Sequence, residues 1–469
     1  MPYDMERASR IGHLPVAQAP VITEALARWE TPLVAATNPP EVKQRLHQLT
    51  GLTSPARPDI SFAFAFDGSN QEVEVRAKYP SVRVGYIQIA GVAVRLDQFF
   101  NSRDRGLVDA RRLRAAQTTQ TIQAVLPGSQ VIRTGMDGRD TWRAELFETF
   151  TNQTVEDFGA PFSLVDALLT LHGSPGNPAT DVALGKCPTC GDTQQRVHKS
   201  ASACTACGAV LYPTDLLRTH EEHDDEGSNV EILTRTMNVA ERLLIVSYLD
   251  GFFRLRPDLL SQFLFITDGP LAFFGPTAPL RLRMIEYWGS MCTQLAERQA
   301  APPLLVGIEK SGVFVDHAAA VSEFFDPQHV MLLDNKYISE RIRRKATDSV
   351  YGDDTFYGRR FFYKTSSDQM LVVTVPRTPN GRPYEKAPTT GAHAAEQLSS
   401  YPTLRPTLTI LDRLQTRLYP NAVIPVALSH SASSLPLGTG RNVLTLLAQE
   451  GLGLPISHVG ATRAPRPTY

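Results

Sequence analysis

"SFAFAFDGSN", residues 61–70, runs an alternating aromatic pattern into an acid and a glycine. On a strand, successive side chains point to opposite faces. Phe62, Phe64 and Phe66 therefore share one face, and Ala63, Ala65 and Asp67 share the other. The two alanines leave room around the acid. Asp-Gly is also a favoured hairpin dipeptide, so the pair reads either as a plain turn or as a carboxylate delivered at a strand end. The same event recurs in "FLFITDGPL", residues 263–271, whose apolar run closes on Asp268-Gly269. Ligands gather at the carboxyl ends of strands in open α/β sheets, and two such acids raise the question of a shared cation.

Around these stretches the patterning is that of an α/β chain. "SVRVGYIQIAGVAVRL" (81–96) alternates and then turns wholly apolar, which predicts one or two strands following the first as a meander. Residues 110–170 read as mostly helical, and the Gly/Pro-rich "HGSPGNPATD" (172–181) marks a loop or boundary. Ser228 and Glu231 have capping-box spacing ahead of a strong helix. Its apolar stripe runs Leu233, Met237, Ala240, Leu244 and Tyr248, and Gly251 is expected to end it. Glu241 stands on the edge of that stripe. A carboxylate turned toward a core must be paired, protonated or bound to a cation, and Arg235 and Arg242 are the available pairing partners.

Further along, 281–299 reads as a helix with Cys292 as a buried core thiol, and 303–312 as a strand with Lys310 at its end. Strand, helix and strand in succession imply a right-handed parallel crossover. Late strands are expected at 360–365 and 369–376, a helix at 402–420, and then "AVIPVALSHSA" (422–432) with His430 near a strand end. At the amino end, 22–29 and 39–49 carry short helical patterns, the second opening on Pro39-Pro40.

At 469 residues the chain suggests two or three domains, and 42% hydrophobic with 20% charged residues is the composition of a soluble globular protein. Nothing approaches the roughly 20 apolar residues that span a bilayer. The first thirty residues lack a basic segment followed by an apolar one, so we expect the cytoplasm. The net charge of −1 gives no general argument for a polyanion partner. The basic runs at 111–114, 341–345 and 358–360 read as solvated helix faces more often than as phosphate contacts, and alone they decide nothing.

Four of the five cysteines are paired by spacing. Cys187, Cys190, Cys204 and Cys207 form two C-x2-C units thirteen residues apart, each followed by a glycine, Gly191 and Gly208, suited to a left-handed knuckle residue. Two independent redox pairs would need the helix-start setting that acidifies such thiols, and the sequence lacks it. The segment predicts a small ribbon around a closed, structural Zn2+. His220 and His223 read as surface residues rather than ligands.

Acids from a first strand, a helix and a later strand, meeting at one sheet edge, fit two-metal phosphodiester hydrolysis, in which ions about 4 Å apart clamp attacking and leaving oxygens. The order of the motifs resembles the NurA nuclease family: Asp67-Gly68-Ser69 closing a first strand, Arg235 and Glu241 on a helix, Asp268-Gly269, "GIEKSG" with Lys310, and "IPVALSHSASSL" with His430. Ile424 stands where that family carries a Tyr, so Tyr419 or Tyr401 would have to substitute. The resemblance implies a ribonuclease H-like fold, a homodimer, Mn2+- or Mg2+-dependent DNA cleavage, and partnership with a HerA-type hexameric translocase in DNA repair or defence against phage.

The expectation is therefore an α/β protein with a ribonuclease H-like core, a mixed sheet flanked by helices, over 61–110 and 229–440. A helical segment (1–60) would precede it. A mainly helical insertion (111–180) and a zinc ribbon (181–215) would interrupt it, and a helix with a flexible tail (441–469) would follow. Asp67, Glu241 and Asp268 are the expected ligands of the catalytic ions. Lys310 is expected on the scissile phosphate, and His430 as a ligand or general acid/base. The alternative is a non-catalytic adaptor whose ribbon docks on a translocase or a DNA end, with the acids structural. Cleavage of RNA is a third reading, since two-metal chemistry on phosphate does not itself select the sugar.

Overall fold

A computed structural model describes residues 19–29, 39–75, 82–101, 103–104, 107–108, 115–155, 158–343, 350–378, 383–384, 394–415, 423–434 and 439–452. Among these, nine strands make one mixed sheet: β1 Leu46–Gln48, β2 Phe62–Glu74, β3 Arg83–Arg95, β4 Gln117–Pro127, β5 Phe263–Asp268, β6 Leu304–Glu309, β7 His329–Leu332, β8 Arg359–Lys364 and β9 Met370–Val375. Their order across the sheet is β1-β7-β8-β9-β6-β5-β2-β3-β4. β5 pairs parallel with both β2 and β6, and every other pairing is antiparallel.

The first strand does not stop at its acid. β2 continues through Asp67-Gly68 in unbroken register with β3, Asp67 opposite Ala90 and Gly68 opposite Ile89. The hairpin-turn reading of this dipeptide is therefore wrong. β3 is a single strand of 13 residues. The expected helix over 110–170 also fails in its first part. Ile122, Ala124 and Leu126 are buried and alternate with exposed Thr121, Gln123 and Val125, which is the two-residue period of a strand. Helices α1 (Gly138–Asn152) and α2 (Leu164–His172) follow.

α3 spans Val230–Leu255 and passes through Gly251. A methyl at that position would lie 2.4 Å from the Phe158 ring, so the glycine admits a neighbour rather than ending the helix. The expected capping box is absent as well. Glu72 on β2 instead accepts from Ser228 Oγ at 2.5 Å and from Asn229 N at 2.7 Å, covering the helix start. Glu231 is exposed and lies 3.4 Å from Arg235. α4 is Leu280–Glu297, with Cys292 buried as expected, α5 is Val313–Val321, and α6 is Leu404–Arg413. The expected strand around 422–432 is helix α7, Ile424–Ser433, with Pro425 in its first turn, where a missing N–H costs nothing. α8 is Thr439–Gly451. β1 and β7 were not anticipated. Tyr419 lies outside the described residues, and Tyr401 is buried.

The two faces of β2 make two different cores. Phe64 and Phe66 pack with Tyr248 and Phe265, the Phe64 and Phe265 rings stacked at 5.1 Å, under α2, α3 and α4. Ala63 and Ala65 lie with Leu264, Ile266 and Val306 under Leu408 and Leu411 of α6 and Val426 of α7. Fully burying a side chain the size of Val, Leu or Phe contributes roughly 1.5–3 kcal/mol. The sheet is thus sandwiched between helices. No helix is long and apolar enough to cross a membrane among the described residues.

Candidate active site

Three elements converge on β2. Asp67 is 6% exposed, and its Oδ2 accepts from His430 Nδ1 at 2.7 Å and from Ser433 Oγ at 3.0 Å, both on α7. Asp268, the last residue of β5, joins them: ligand atoms of Asp67, Asp268 and His430 all lie within 4.8 Å of one another. Asp268 Oδ2 accepts from Lys310 Nζ at 2.6 Å, and Lys310 directly follows β6. Burial and the neighbouring Asp67 charge push the Asp268 carboxyl above the usual carboxylate range, with Lys310 opposing.

Glu241 stands outside this group of three, for a geometric reason. Asp67 and Gly68 point to opposite faces of β2, and α3 packs on the Gly68 side. A methyl at Gly68 would sit 2.6 Å from Glu241 Oε1 and 2.7 Å from Met237 Cγ. Glu241 therefore reaches the acids across the strand, through the space the glycine leaves. It is buried, and burial pushes its carboxyl up to about 8, Arg242 opposing and the charges of Asp67 and Asp268 reinforcing. Of its two expected partners, Arg242 is the one in contact: Nη1 donates to Glu241 Oε2. Arg242 is fixed in turn by the carbonyls of Asn238 at 3.1 Å and Pro270 at 3.2 Å. Arg235 pairs instead with Glu222 and Glu231.

Several residues that shape the site were not singled out from sequence. Ser433 holds Asp67. Ser69 Oγ donates to the Ser433 carbonyl, and Gln88 Nε2 donates to the Ala432 carbonyl at 2.9 Å. These two side chains satisfy the last carbonyls of α7, which have no partner inside the helix, and so dock the carboxyl end of α7 on β2 and β3. The signal lay in polar residues at alternate strand positions, which a scan for acids passes over. Gly269, after Asp268, differs from Gly68: its φ of 94° is left-handed, and its N–H donates to Ile308 O at 2.7 Å.

The donor set suits a hard divalent cation, since crowded carboxylate oxygens are the ligands such an ion takes, and the raised carboxyls of Asp268 and Glu241 would exchange protons for it. The cysteine cluster suits a different one. Cys187 and Cys207 Sγ are 3.9 Å apart, Cys190 and Cys204 Sγ 3.8 Å, and all four lie within 4.8 Å of one another. Zinc–sulfur bonds of about 2.3 Å in a tetrahedron require roughly 3.8 Å between sulfurs. Gly191 (φ 78°) and Gly208 (φ 76°) form the left-handed knuckles. Short strands, 182–183 with 196–197 and 202–203 with 210–211, frame the site. Cys187 and Cys204 face the core of α2 and α3. His220 is 5% exposed beside Asp215, and the His223 side chain is 1% exposed beside Asp225. The surface reading of both was therefore incorrect: the loop that carries them folds under α1 and packs His223 against Trp142.

No protein-family model matches the chain, and no curated protein does. Among solved structures, the NurA nuclease from Sulfolobus solfataricus aligns at 10% identity and a TM-score of 0.34, over 95% of this chain and 98% of that one. A second NurA crystal structure aligns at 10% identity and a TM-score of 0.28, over 93% and 97%. A crystal structure of NurA with manganese aligns at 8% and 0.27, over 94% and 98%. Scores this low carry no weight for function, which rests on the geometry of the site itself.

Proposed function

We propose that this chain is a metal-dependent DNA nuclease with a ribonuclease H-like core, hydrolysing phosphodiester bonds where Asp67, Asp268 and His430 meet. The observation that carries this reading is the convergence of ligand atoms from β2, β5 and α7 within 4.8 Å, with Lys310 beside them and Glu241 behind. The strand order supports the core: an antiparallel β2-β3-β4 meander, extended on the other side of β2 by parallel β5 and β6. The choice of DNA over RNA follows the motif resemblance.

Asp67, Asp268 and a deprotonated Glu241 would hold Mn2+ or Mg2+, which when bound supplies Lewis-acid polarisation of a phosphate and an activated water. The remaining work belongs to the chain. Asp67 fixes His430 through Nδ1 and leaves Nε2 to carry a proton at a reacting oxygen. That side chain is 59% exposed, so a substrate can reach it. Lys310 places a cation at the same spot, where it meets the charge of an incoming phosphate. Arg242 holds Glu241 in place through Nη1. The four cysteines would hold a structural Zn2+. A homodimer in the cytoplasm, acting with a HerA-type translocase in end processing or anti-phage defence, completes the proposal.

The test is manganese-dependent cleavage of linear DNA by purified wild type, Asp67→Ala and Asp268→Ala, with circular dichroism to verify folding. Cleavage should vanish in both folded variants; unchanged cleavage in both overturns the reading. Calorimetric titration with Mn2+ separates it from the adaptor alternative, because catalytic binding must disappear in Asp67→Ala.

A further inference from the structure

A second charged site lies at the amino end of β2. The segment entering β2 and one face of α6 enclose a pocket of about 420 Å³ lined by Arg57, Arg405 and Arg413, with Asp59 as the carboxylate in its lining. Arg405, Thr409 and Arg413 recur every four residues and so form one ridge along α6, facing the pocket. Arg57 Nη2 donates to the Ser261 carbonyl at 2.5 Å, while its Nε and Nη1 are buried without a hydrogen-bond partner. Arg405 Nη1 donates to the Leu52 carbonyl at 2.9 Å, and Arg413 lies 3.8 Å over the Phe100 ring.

Neither Arg57 nor Arg405 has a carboxylate partner among the described residues. Carbonyl oxygens hold the guanidinium groups in place but bring no negative charge. A partly buried cation without a counter-charge is costly, and here burial pushes Arg57 down to about 10 with nothing opposing. The arrangement is the reverse of a structural ion pair: Arg57 and Arg405 are oriented around the cavity by neutral oxygens, and Arg413 completes its lining. Guanidinium groups match the oxygens of a phosphate in geometry as well as charge.

We infer that the pocket between the 54–60 segment and α6 binds a phosphate group through Arg57, Arg405 and Arg413. Ser61 precedes Asp67 by six residues, and a strand rises about 3.3 Å per residue, so the pocket lies roughly 20 Å from the acids. That is about six base pairs of duplex at 3.4 Å each. The phosphate is either part of a nucleic-acid backbone, held away from the point of cleavage, or that of free phosphate or a nucleotide. The backbone source rests on the nuclease reading, and the phosphate site itself does not.

The test uses the full chain with its zinc and no added Mn2+ or Mg2+. Inorganic phosphate is titrated calorimetrically, and a fluorescent 20-nucleotide single strand is bound by anisotropy across a salt series. Arg57→Gln, Arg405→Gln and Arg413→Gln are compared with Arg95→Gln, whose exposed arginine pairs with Asp97 and does not line the pocket. Phosphate binding should weaken tenfold or more in the three pocket variants and stay unchanged in Arg95→Gln. If these variants also weaken the DNA complex and lower its salt slope by about one per arginine, the phosphate is that of a strand. If the DNA complex is unaffected, it is free phosphate or a nucleotide. Equal affinity of wild type and pocket variants for both probes overturns the inference. Should Arg57→Gln fail to fold by circular dichroism, the two α6 variants decide the matter. Asp67→Ala, measured alongside, keeps this result separate from the nuclease reading: it should bind phosphate as wild type does even if the acids prove non-catalytic.

Discussion

The molecule carries two clusters of side chains with the donors to hold a metal ion, built in opposite ways. The four cysteines come from one 21-residue segment, and their ribbon rests on the core through Cys187 and Cys204. The acid cluster draws on β2, β5 and α7, and the Asp67–His430 bond joins residues 363 apart in sequence. The first is local and closed, four thiols whose spacing fits one tetrahedral ion. The second is assembled by the whole fold and keeps exposed side chains at its rim. Local closure suits a structural role, whereas a site that must admit a substrate is spread over elements the fold holds apart.

The comparison can be broken most forcefully at the cysteines. Cys204→Ser should release the bound zinc, measured by elemental analysis, and cost about 3 kcal/mol or more, because structural zinc contributes its binding energy to folding. A ribbon as stable without metal as with it would erase the distinction.

At the acid cluster the balance should invert. His430→Ala should lower cleavage by about 10²–10⁴-fold while the melting temperature stays within about 1 °C, since that side chain is largely exposed. Ser433→Ala should act more weakly, by removing one of two donors to Asp67. A large loss of stability in His430→Ala would mean that the cluster is structural after all.

The two Asp-Gly dipeptides sharpen the contrast further. Gly68→Ala should cost about 1–3 kcal/mol, as the new methyl forces α3 off β2 at Glu241 and Met237. Gly269→Ala meets open space but a left-handed backbone, and should cost about 1 kcal/mol. Denaturant titrations of both variants measure the difference.

A last contrast concerns acid. Burial pushes His172 and His220, both on the ribbon side, and His317 down to about 4. Each is neutral in the fold, while the unfolded chain begins to take up protons near 6.5. Their contribution is therefore complete above pH 6.5 and is lost as pH falls toward 4. The melting temperature should drop by several degrees between pH 7 and pH 5, and His220→Gln should flatten that slope.

Sequence disclosed these regions unequally, for physical reasons. Thiol pairs with two-residue spacers are readable because one tight turn fixes their geometry. Asp67 and Asp268 were readable as acids at apolar strands, yet the reason for Gly68 was not, because it depends on how closely a helix far along the chain approaches. β4 precedes "TWRAELFETF" (141–150), whose helical pattern masks the strand, although the alternation of Ile122, Ala124 and Leu126 marks it. The cap of α3 was sought in its own sequence and is supplied by Glu72, some 156 residues earlier. Tertiary contacts override local signals where a partner is distant in the chain.

The docking of α7 on Ser69 and Gln88 has a consequence for biosynthesis. Both aspartates emerge from the ribosome long before the histidine that touches the first of them. A nascent chain can thus own its acids and its ribbon while still lacking the proton-handling side chain. The proposed hydrolytic capacity switches on only when translation has passed residue 433 and that helix has settled on its strands.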